Sequence, residues 1–237
     1  FSLVGLKVSG PDIEDTLNSY METANAADLF VVAGYGLSGE DQAEIKQENA
    51  DVEFGYFTDT VIGDTPNAIR VFSQTTDIST FELVSGEFPT KSNEVALAQT
   101  MADQYKIGDT IRLNESGSST LLKEHEFTIT GFVNSSEILS KTIKGVSSAG
   151  SGDLSGFAVV PKDAFDSEVY TIARLRYPEL RKWKTTSREY SDKVTELQQA
   201  LEEKLADNGT ARLDALKTTA DDKISEGKEK ITDAKTQ

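Results

Sequence analysis

The spacing of apolar positions changes several times along this chain, and each change marks an element. After an apolar opening, "FSLVGLKV", the segment "SGPDIEDTLNSYMETANAA" begins with Pro11 and carries acidic residues at 12, 14 and 15. Proline supplies a helical φ at the first position, and carboxylates there face the positive end of the helix dipole. Ile13, Leu17, Tyr20 and Met21 then share one face, as in an amphipathic helix. "DLFVVAGY" is an unbroken apolar run that reads as a buried strand, followed by a short helix at about 39–48. "DVEFGYFTDTVIG" and "AIRVFSQT" then read as two strands, bounded by turn residues.

From about 76 to 164 the pattern becomes short strands with turns: "EVALAQ", "TIRLN", "HEFTITGFV" and "FAVVP", with one brief helix at "QTMADQYK". "SSAGSGDLSG" (147–156) is a loop by composition, and "EVYTIARLRY" reads as a strand. Val194, Leu197, Leu201 and Leu205 mark a helix with its stop at Asn208-Gly209, a common C-terminal signal. Beyond it Leu213, Leu216, Ala220, Ile224 and Ile231 recur at three- and four-residue steps, and "KISEGKE" is followed directly by "KITDAKT". A narrow apolar seam between charged flanks is coiled-coil patterning. Two or three heptads are marginal alone in water, so the seam predicts a partner helix that the rest of the chain does not supply.

Charge narrows the function classes. With 40 Asp+Glu against 24 Lys+Arg the net charge is −16, which repels phosphate backbones and argues against nucleic acid. There is no cysteine, so disulfides, thiolate chemistry and Cys-based zinc sites are excluded. No run reaches the ~20 apolar residues of a membrane-spanning helix. The first residue is not Met, the apolar opening starts at full strength, and the chain stops inside a repeat. Both ends are read as cuts.

Candidate chemistry is sparse. Gly34, Gly36 and Gly39 spell G-x-G-x-x-G after an apolar run and before a helix, the written form of a dinucleotide fingerprint. That fingerprint needs an anion on the helix N-terminus, where Glu40 and Asp41 already stand. A turn into a helix capped by Ser38, with Asp41 as its capping-box partner, is the preferred reading. His125 in "KEHEFTIT" is read as a surface residue, and the pairs Glu40/Asp41 and Asp221/Asp222 carry no information. Neither "DTPNAIR" nor "SGDLSG" matches a calcium loop, and no hydrolase, zincin or P-loop motif occurs. Trp183 stands among Arg181, Lys182, Lys184 and Arg188; it is read first as a partly exposed aromatic before a helix, and second as a contact for a membrane interface or an anionic partner. No catalytic, cofactor-binding or metal site is expected, and no enzyme.

The most informative passage is "ELVSGEFPTKSNEVALAQTMADQYKIGDTIRL" (82–113): a turn at Gly86, a strand ending at Leu97, a small helix, then Gly108-Asp109 leading into another strand. "HEFTITGFV" (125–133) and "GFAVVPKDAF" (156–165) follow. In order and spacing this resembles the extracytoplasmic core domain of FtsX-like ABC permeases, the MacB-type family, over roughly 28–210. The resemblance implies an α+β, two-lobed core. A split, porter-like α/β lobe would combine 28–75 with 166–210, and a mixed β-rich lobe would be inserted at 76–165. Residues 1–27 would be a helical stalk after a first transmembrane helix, and 211–237 the start of an extracellular coiled coil, as in large Gram-positive, streptococcal-type members. Its partners would be the transmembrane helices and returning helix of the same permease, a cytoplasmic ATPase acting through them, and an extracellular peptide or cell-wall protein. The family has no universal catalytic or ligand residues in this domain. Two other classes stay open: a soluble acidic module for cationic peptides, motivated by the charge, and an NAD enzyme resting on 34–39 alone.

Overall fold

The structure, a computed structural model, describes residues 11–34, 36–115, 120–138, 147, 149–150, 152–206 and 217–218. The chain is α+β. Helix α1 spans Pro11–Thr23, α2 Gly39–Lys46, and α3 residues 188–206. The strands are β1 (Leu29–Val32), β2 (Asp51–Gly55), β3 (Phe57–Ile62), β4 (Ala68–Ser73), β5 (Glu82–Gly86), β6 (Glu94–Ala98), β7 (Thr110–Glu115), β8 (Glu126–Asn134), β9 (Leu154–Val160) and β10 (Ile172–Arg176).

Two sheets result. The smaller is antiparallel in the order β1-β10-β2, with Leu29 opposite Leu175 and Phe54 opposite Ala173. The larger runs β5-β8-β6-β9-β4-β3-β7, and a further β8–β7 pairing closes β8, β6, β9, β4, β3 and β7 into a barrel. Closure removes the free edges of those six strands, leaving β5 beside β8 outside the ring. The barrel is mixed, because β4–β9 and β6–β8 are parallel and the other pairings antiparallel.

Alternation explains which face of each strand turns inward. Ile111 and Leu113 of β7 are buried between exposed Thr110 and Arg112, the period-two pattern of a half-buried strand. β9 lies between β6 and β4 and is buried almost throughout, which is why it reads as a continuous apolar run. Phe127, Ile129, Val95, Leu97, Ile69 and Val71 fill the barrel with little or no exposure. A separate core forms where α2 and α3 cover the small sheet: Leu29, Val31, Ile45, Ala173, Leu175, Leu201 and Leu205 meet there.

Several sequence expectations change. "DVEFGYFTDTVIG" is two strands, because the backbone leaves the small sheet at Gly55 and enters the barrel at Phe57. The segment 28–75 therefore contributes strands to both sheets. "QTMADQYK" forms only a 3-10 turn at Gln99–Met101. The residues before Gly86, read as leading into a turn, form strand β5. The loop at 147–156 gives way to β9 already at Leu154. The α3 stripe is as expected, with Leu201 and Leu205 buried and Val194 and Leu197 packed beside them; its stop at Asn208-Gly209 lies outside the described residues.

Phe127 is fully buried in the barrel. Phe127→Ala should lower unfolding stability in denaturant titration by about 3–5 kcal/mol. A loss within experimental error would mean the barrel interior is not the core described.

Candidate functional site

What stands out chemically is the buried polar wiring at the crossing between the two sheets and at the roots of α1 and α3. The crossing comes first. At Tyr56 the chain changes sheets and would leave backbone groups unpaired, a cost proteins avoid by supplying partners. Two side chains meet that need. Ser73 Oγ accepts the Tyr56 N–H at 2.9 Å, and Thr171 Oγ1 accepts the Phe57 N–H at 2.7 Å while donating to the Phe57 carbonyl at 3.1 Å. Ser73 is completely buried and Thr171 nearly so. Gly55 is needed here for space: a Cβ would lie 2.8 Å from Ser73 Oγ and 3.1 Å from Arg174 Nη1.

Arg174 is the second part of the crossing. It sits mid-strand in β10, wholly buried, and its guanidinium reaches out of the small sheet. Nε donates to Glu137 Oε1 at 2.5 Å and Nη2 to Glu137 Oε2 at 3.3 Å. The guanidinium carbon stands 5.7 Å from the ring centre of Phe72, a barrel residue. Glu137 follows the end of β8, so a fork-shaped ion pair spans the two bodies. Two-point geometry of this kind fixes orientation as well as distance.

Glu53 makes the third tie. It lies opposite Arg174 on β2, and its carboxylate accepts backbone N–H groups of Thr76, Asp77 and Ile78 at 2.8–2.9 Å, with Lys162 Nζ 3.8 Å away. Burial alone would raise its pKa, but the three amides and Lys162 outweigh burial and hold it below the usual carboxylate range, because hydrogen bonds to the charged form favour it. The same loop is gripped from the other side. Ser79 N–H donates to the Asn25 carbonyl, and Thr80 N–H to that of Ala24.

The helices are rooted by a further set. Asn18 of α1 is buried, and its carbonyl oxygen accepts the Thr185 N–H at 2.9 Å and the Thr185 hydroxyl, while its amide reaches Thr186. Lys184 pairs with Asp15 on the exposed side. Asp28, just before β1, has a side chain with almost no exposure. It accepts the Tyr177 N–H at 2.7 Å, the Tyr190 hydroxyl at 2.7 Å, and Arg181. Burial and the Asp28 charge push the Tyr190 phenol far above its ordinary value, so it stays a neutral donor. Lys204 of α3 donates to the Glu44 carbonyl at 3.1 Å and pairs with Glu48 at 2.8 Å, where a cation suits the negative end of α2. α1 is thereby tied to the loop before α3, and α3 to Asp28 before β1 and to the end of α2.

The residues singled out in the sequence fall elsewhere. Ser38 caps α2 and forms a complete capping box with Asp41, so Asp41's carboxylate and the Ser38 hydroxyl occupy the helix start. Gly36, at φ +81°, is there because a Cβ would strike Val169 Cγ2 at 2.3 Å. β1 pairs with antiparallel β10, so 34–39 does not open a parallel βαβ unit. His125 is exposed. Trp183 packs against the small-sheet core with the Lys182 ammonium 4.1 Å from its ring centre. Leu213, Leu216, Ala220, Ile224 and Ile231 lie outside the described residues, as do Asp221 and Asp222. Asn18, Asp28, Glu53, Glu137 and Arg174 were not anticipated. One signal existed for two of them, an ionised residue inside an otherwise apolar strand: Glu53 in "DVEFG" and Arg174 in "IARLR". Among the described residues no cluster of His, Cys, Asp or Glu could hold a metal ion, and no helix is long and apolar enough to cross a membrane.

The described residues thus form a two-sheet α+β body with polar ties concentrated where its parts join. The chain belongs to the family of MacB-like periplasmic core domains, whose model matches residues 9–203. It is therefore an extracytoplasmic domain of an ABC-type transporter. Among solved structures it is similar to the extracellular domain of the noncanonic ABC-type transporter YknZ from Gram-positive bacteria, at 10% identity. That similarity covers 70% of this chain and 86% of the other with a TM-score of 0.38, so the family assignment rests on the sequence match. No curated protein sequence matches the chain.

Two outcomes follow from the buried charges. Glu137→Gln leaves the Arg174 cation uncompensated and should cost about 3–5 kcal/mol in stability; a cost under ~1 kcal/mol would show the pair to be hydrated rather than buried. Glu53, with its folded pKa below the ordinary 4.5, contributes stability above its unfolded pKa and loses it as pH falls through the folded value. Glu53→Gln should therefore flatten the acid limb of a stability-versus-pH curve below about pH 4.5. An unchanged limb would assign acid sensitivity to other carboxylates.

Proposed function

We propose that this domain relays ATP-driven movement of the permease's transmembrane helices to an extracellular substrate or partner, in an FtsX/MacB-like transporter. The observation that carries the reading is that Asn18 ties α1 to the loop leading into α3, while Tyr190 and Lys204 tie α3 to Asp28 before β1 and to the end of α2. In the proposed arrangement residues 1–27 form the stalk from the first transmembrane helix and 211–237 begin the outgoing coiled coil. Between them, the body built on the small sheet (β1, β2 and β10 with α2 and α3) and the barrel, which includes β3 and β4, would move relative to each other about Tyr56, where the strand changes sheets. A relay of this kind needs two arrangements with different contacts. The Glu137–Arg174 pair and the Glu53 clasp are contacts that one arrangement could keep and another release.

Spin-label distances test this in the whole permease with its ATPase. Labels at exposed Glu203 and Lys91 report the small sheet and the barrel body. Their separation should shift between nucleotide-free and ATP-trapped states. Asn18→Ala, which removes the helix's bonds to Thr185 and Thr186 and leaves the exposed Asp15–Lys184 pair, should reduce the shift while ATP turnover continues. A distance that stays fixed through the cycle would sink the relay.

The seam at Leu213, Leu216, Ala220, Ile224 and Ile231 is proposed to pair with a returning helix. A chain extended through that helix should show higher helicity and a higher melting temperature than residues 1–237 alone; no gain would remove the seam from the proposal.

A further inference from the structure

Strand β5 is paired with β8 on one side and with no second strand among the described residues. All five of its residues are exposed. Leu83 and Val84 are 38% and 44% exposed, and Ile107, at 50%, adjoins the strand's end, where its Cδ1 is 2.7 Å from the Cβ position of Gly86. These three are the exposed large apolar side chains of the described residues. They thus gather along one rim rather than scattering.

An edge strand offers unpaired N–H and C=O groups to any extended chain, and soluble proteins blunt such edges with lysine, proline or bulges. Within β5, "ELVSG", there is neither lysine nor proline; the pairing register does shift between Leu83 and Ser85, which turns Val84 outward. The strand is held firmly from behind. Glu87 N–H donates to the Thr130 carbonyl at 2.9 Å and Thr130 Oγ1 donates to the Glu87 carbonyl at 3.0 Å. A preformed edge loses little conformational freedom on binding.

We propose that β5 is a docking edge for an extended segment of a partner protein in which apolar residues alternate with lysine or arginine. The charge pattern selects that occupant over a second copy of this chain. Exposed Glu82 and Glu87 bracket the strand, while beside Ile107 the charges of Lys106 and Asp109 offset each other. Antiparallel pairing of β5 with its own copy would set Glu82 and Glu87 of one edge against those of the other. Opposed like charges destabilise a strand pair, here on a protein of net charge −16. A basic strand meets the same carboxylates favourably, and Leu83, Val84 and Ile107 receive its apolar residues. This site rests on the reading of the chain as a domain that works on something outside the membrane, and it names the chemistry of that partner.

The test uses the 237-residue chain and an acetylated, amidated heptapeptide alternating lysine with valine. Binding is followed by fluorescence anisotropy of a labelled peptide, and its location by amide hydrogen exchange. Saturable binding is expected, with added protection confined to amides of residues 82–87. Val84→Lys, judged folded by an unchanged melting temperature, should weaken binding about tenfold or more, as should N-methylation of alternate peptide amides. A glutamate–valine peptide should not bind. No saturation at millimolar peptide, protection elsewhere, or indifference to Val84→Lys would overturn the proposal; so would a dimer of the chain that Val84→Lys dissolves, which would give the edge to a second copy. None of these results bears on the lobe distances measured in the whole permease, so the docking edge and the relay stand or fall separately.

Discussion

The two sheets of this molecule meet around one buried cation. Arg174 sits in the middle strand of the small sheet with no exposure, a position where an apolar residue would pack at lower cost. A charge taken out of water needs a partner of opposite sign and near-ideal geometry. Glu137 supplies it from the end of β8, and Phe72 lies against the guanidinium from β4. The small sheet can therefore bury Arg174 only while the barrel presents Glu137 at the right place. Such a pair adds little net stability compared with an apolar substitute, but it makes one relative placement of the two bodies far better than its neighbours. Apolar contact would tolerate sliding by an ångström or two, and a two-point ion pair does not.

The ties at the helix roots have the same character and extend the constraint outward. Asn18 joins α1 to the loop before α3, Asp28 joins that loop and α3 to the start of β1, and Lys204 joins α3 to the end of α2. Each is a directional contact, partly or wholly screened from water. In the proposed relay, a displacement applied to α1 would pass to the loop before α3 through these bonds. The next joint in line is the crossing at Tyr56, held by Ser73 and Thr171. There the backbone itself is continuous between the two sheets.

The local part of this design was legible in the sequence. Ser38 with Asp41 announced a capped helix, and the Leu201–Leu205 stripe announced a face that packs. The order of strands in 82–165 carried the family resemblance before any pairing was known. What could not be read were relations across long stretches of chain. Phe57 and Thr171 are 114 residues apart, and Asp28 and Tyr177 are 149 apart; no period or motif encodes such meetings. Barrel closure by β7 and β8 is of the same kind. β5 escaped notice for a different reason. With every residue exposed it lacks the alternation that marks a half-buried strand, and Gly86 at φ +78° looks like a turn residue although it ends the strand, paired with Gly131. The glycine triplet at 34–39 misleads in the other direction: Gly36 makes room for Val169 and Ser38 begins a helix, so the motif arises from packing and capping without a phosphate.

The kind of contact at each joint bears on how the domain could work. Apolar cores such as those of the barrel and of the α2–α3 layer resist opening over a broad area, and they keep each body intact under load. The joints between bodies combine a few hydrogen bonds and two carboxylates with a short run of packed rings, Tyr170 against Tyr56 and Tyr56 against Phe165. A polar contact exchanged for water costs little if the group becomes hydrated and much if it is stranded. The Glu137 and Arg174 side chains are both almost sealed from water, so a separation of the pair must admit water, or another partner, to both charges. Arg174 Nη1 already lacks an acceptor among the described residues. In the proposed relay, a joint so specific in geometry is one that a stroke would have to break and its return would find again.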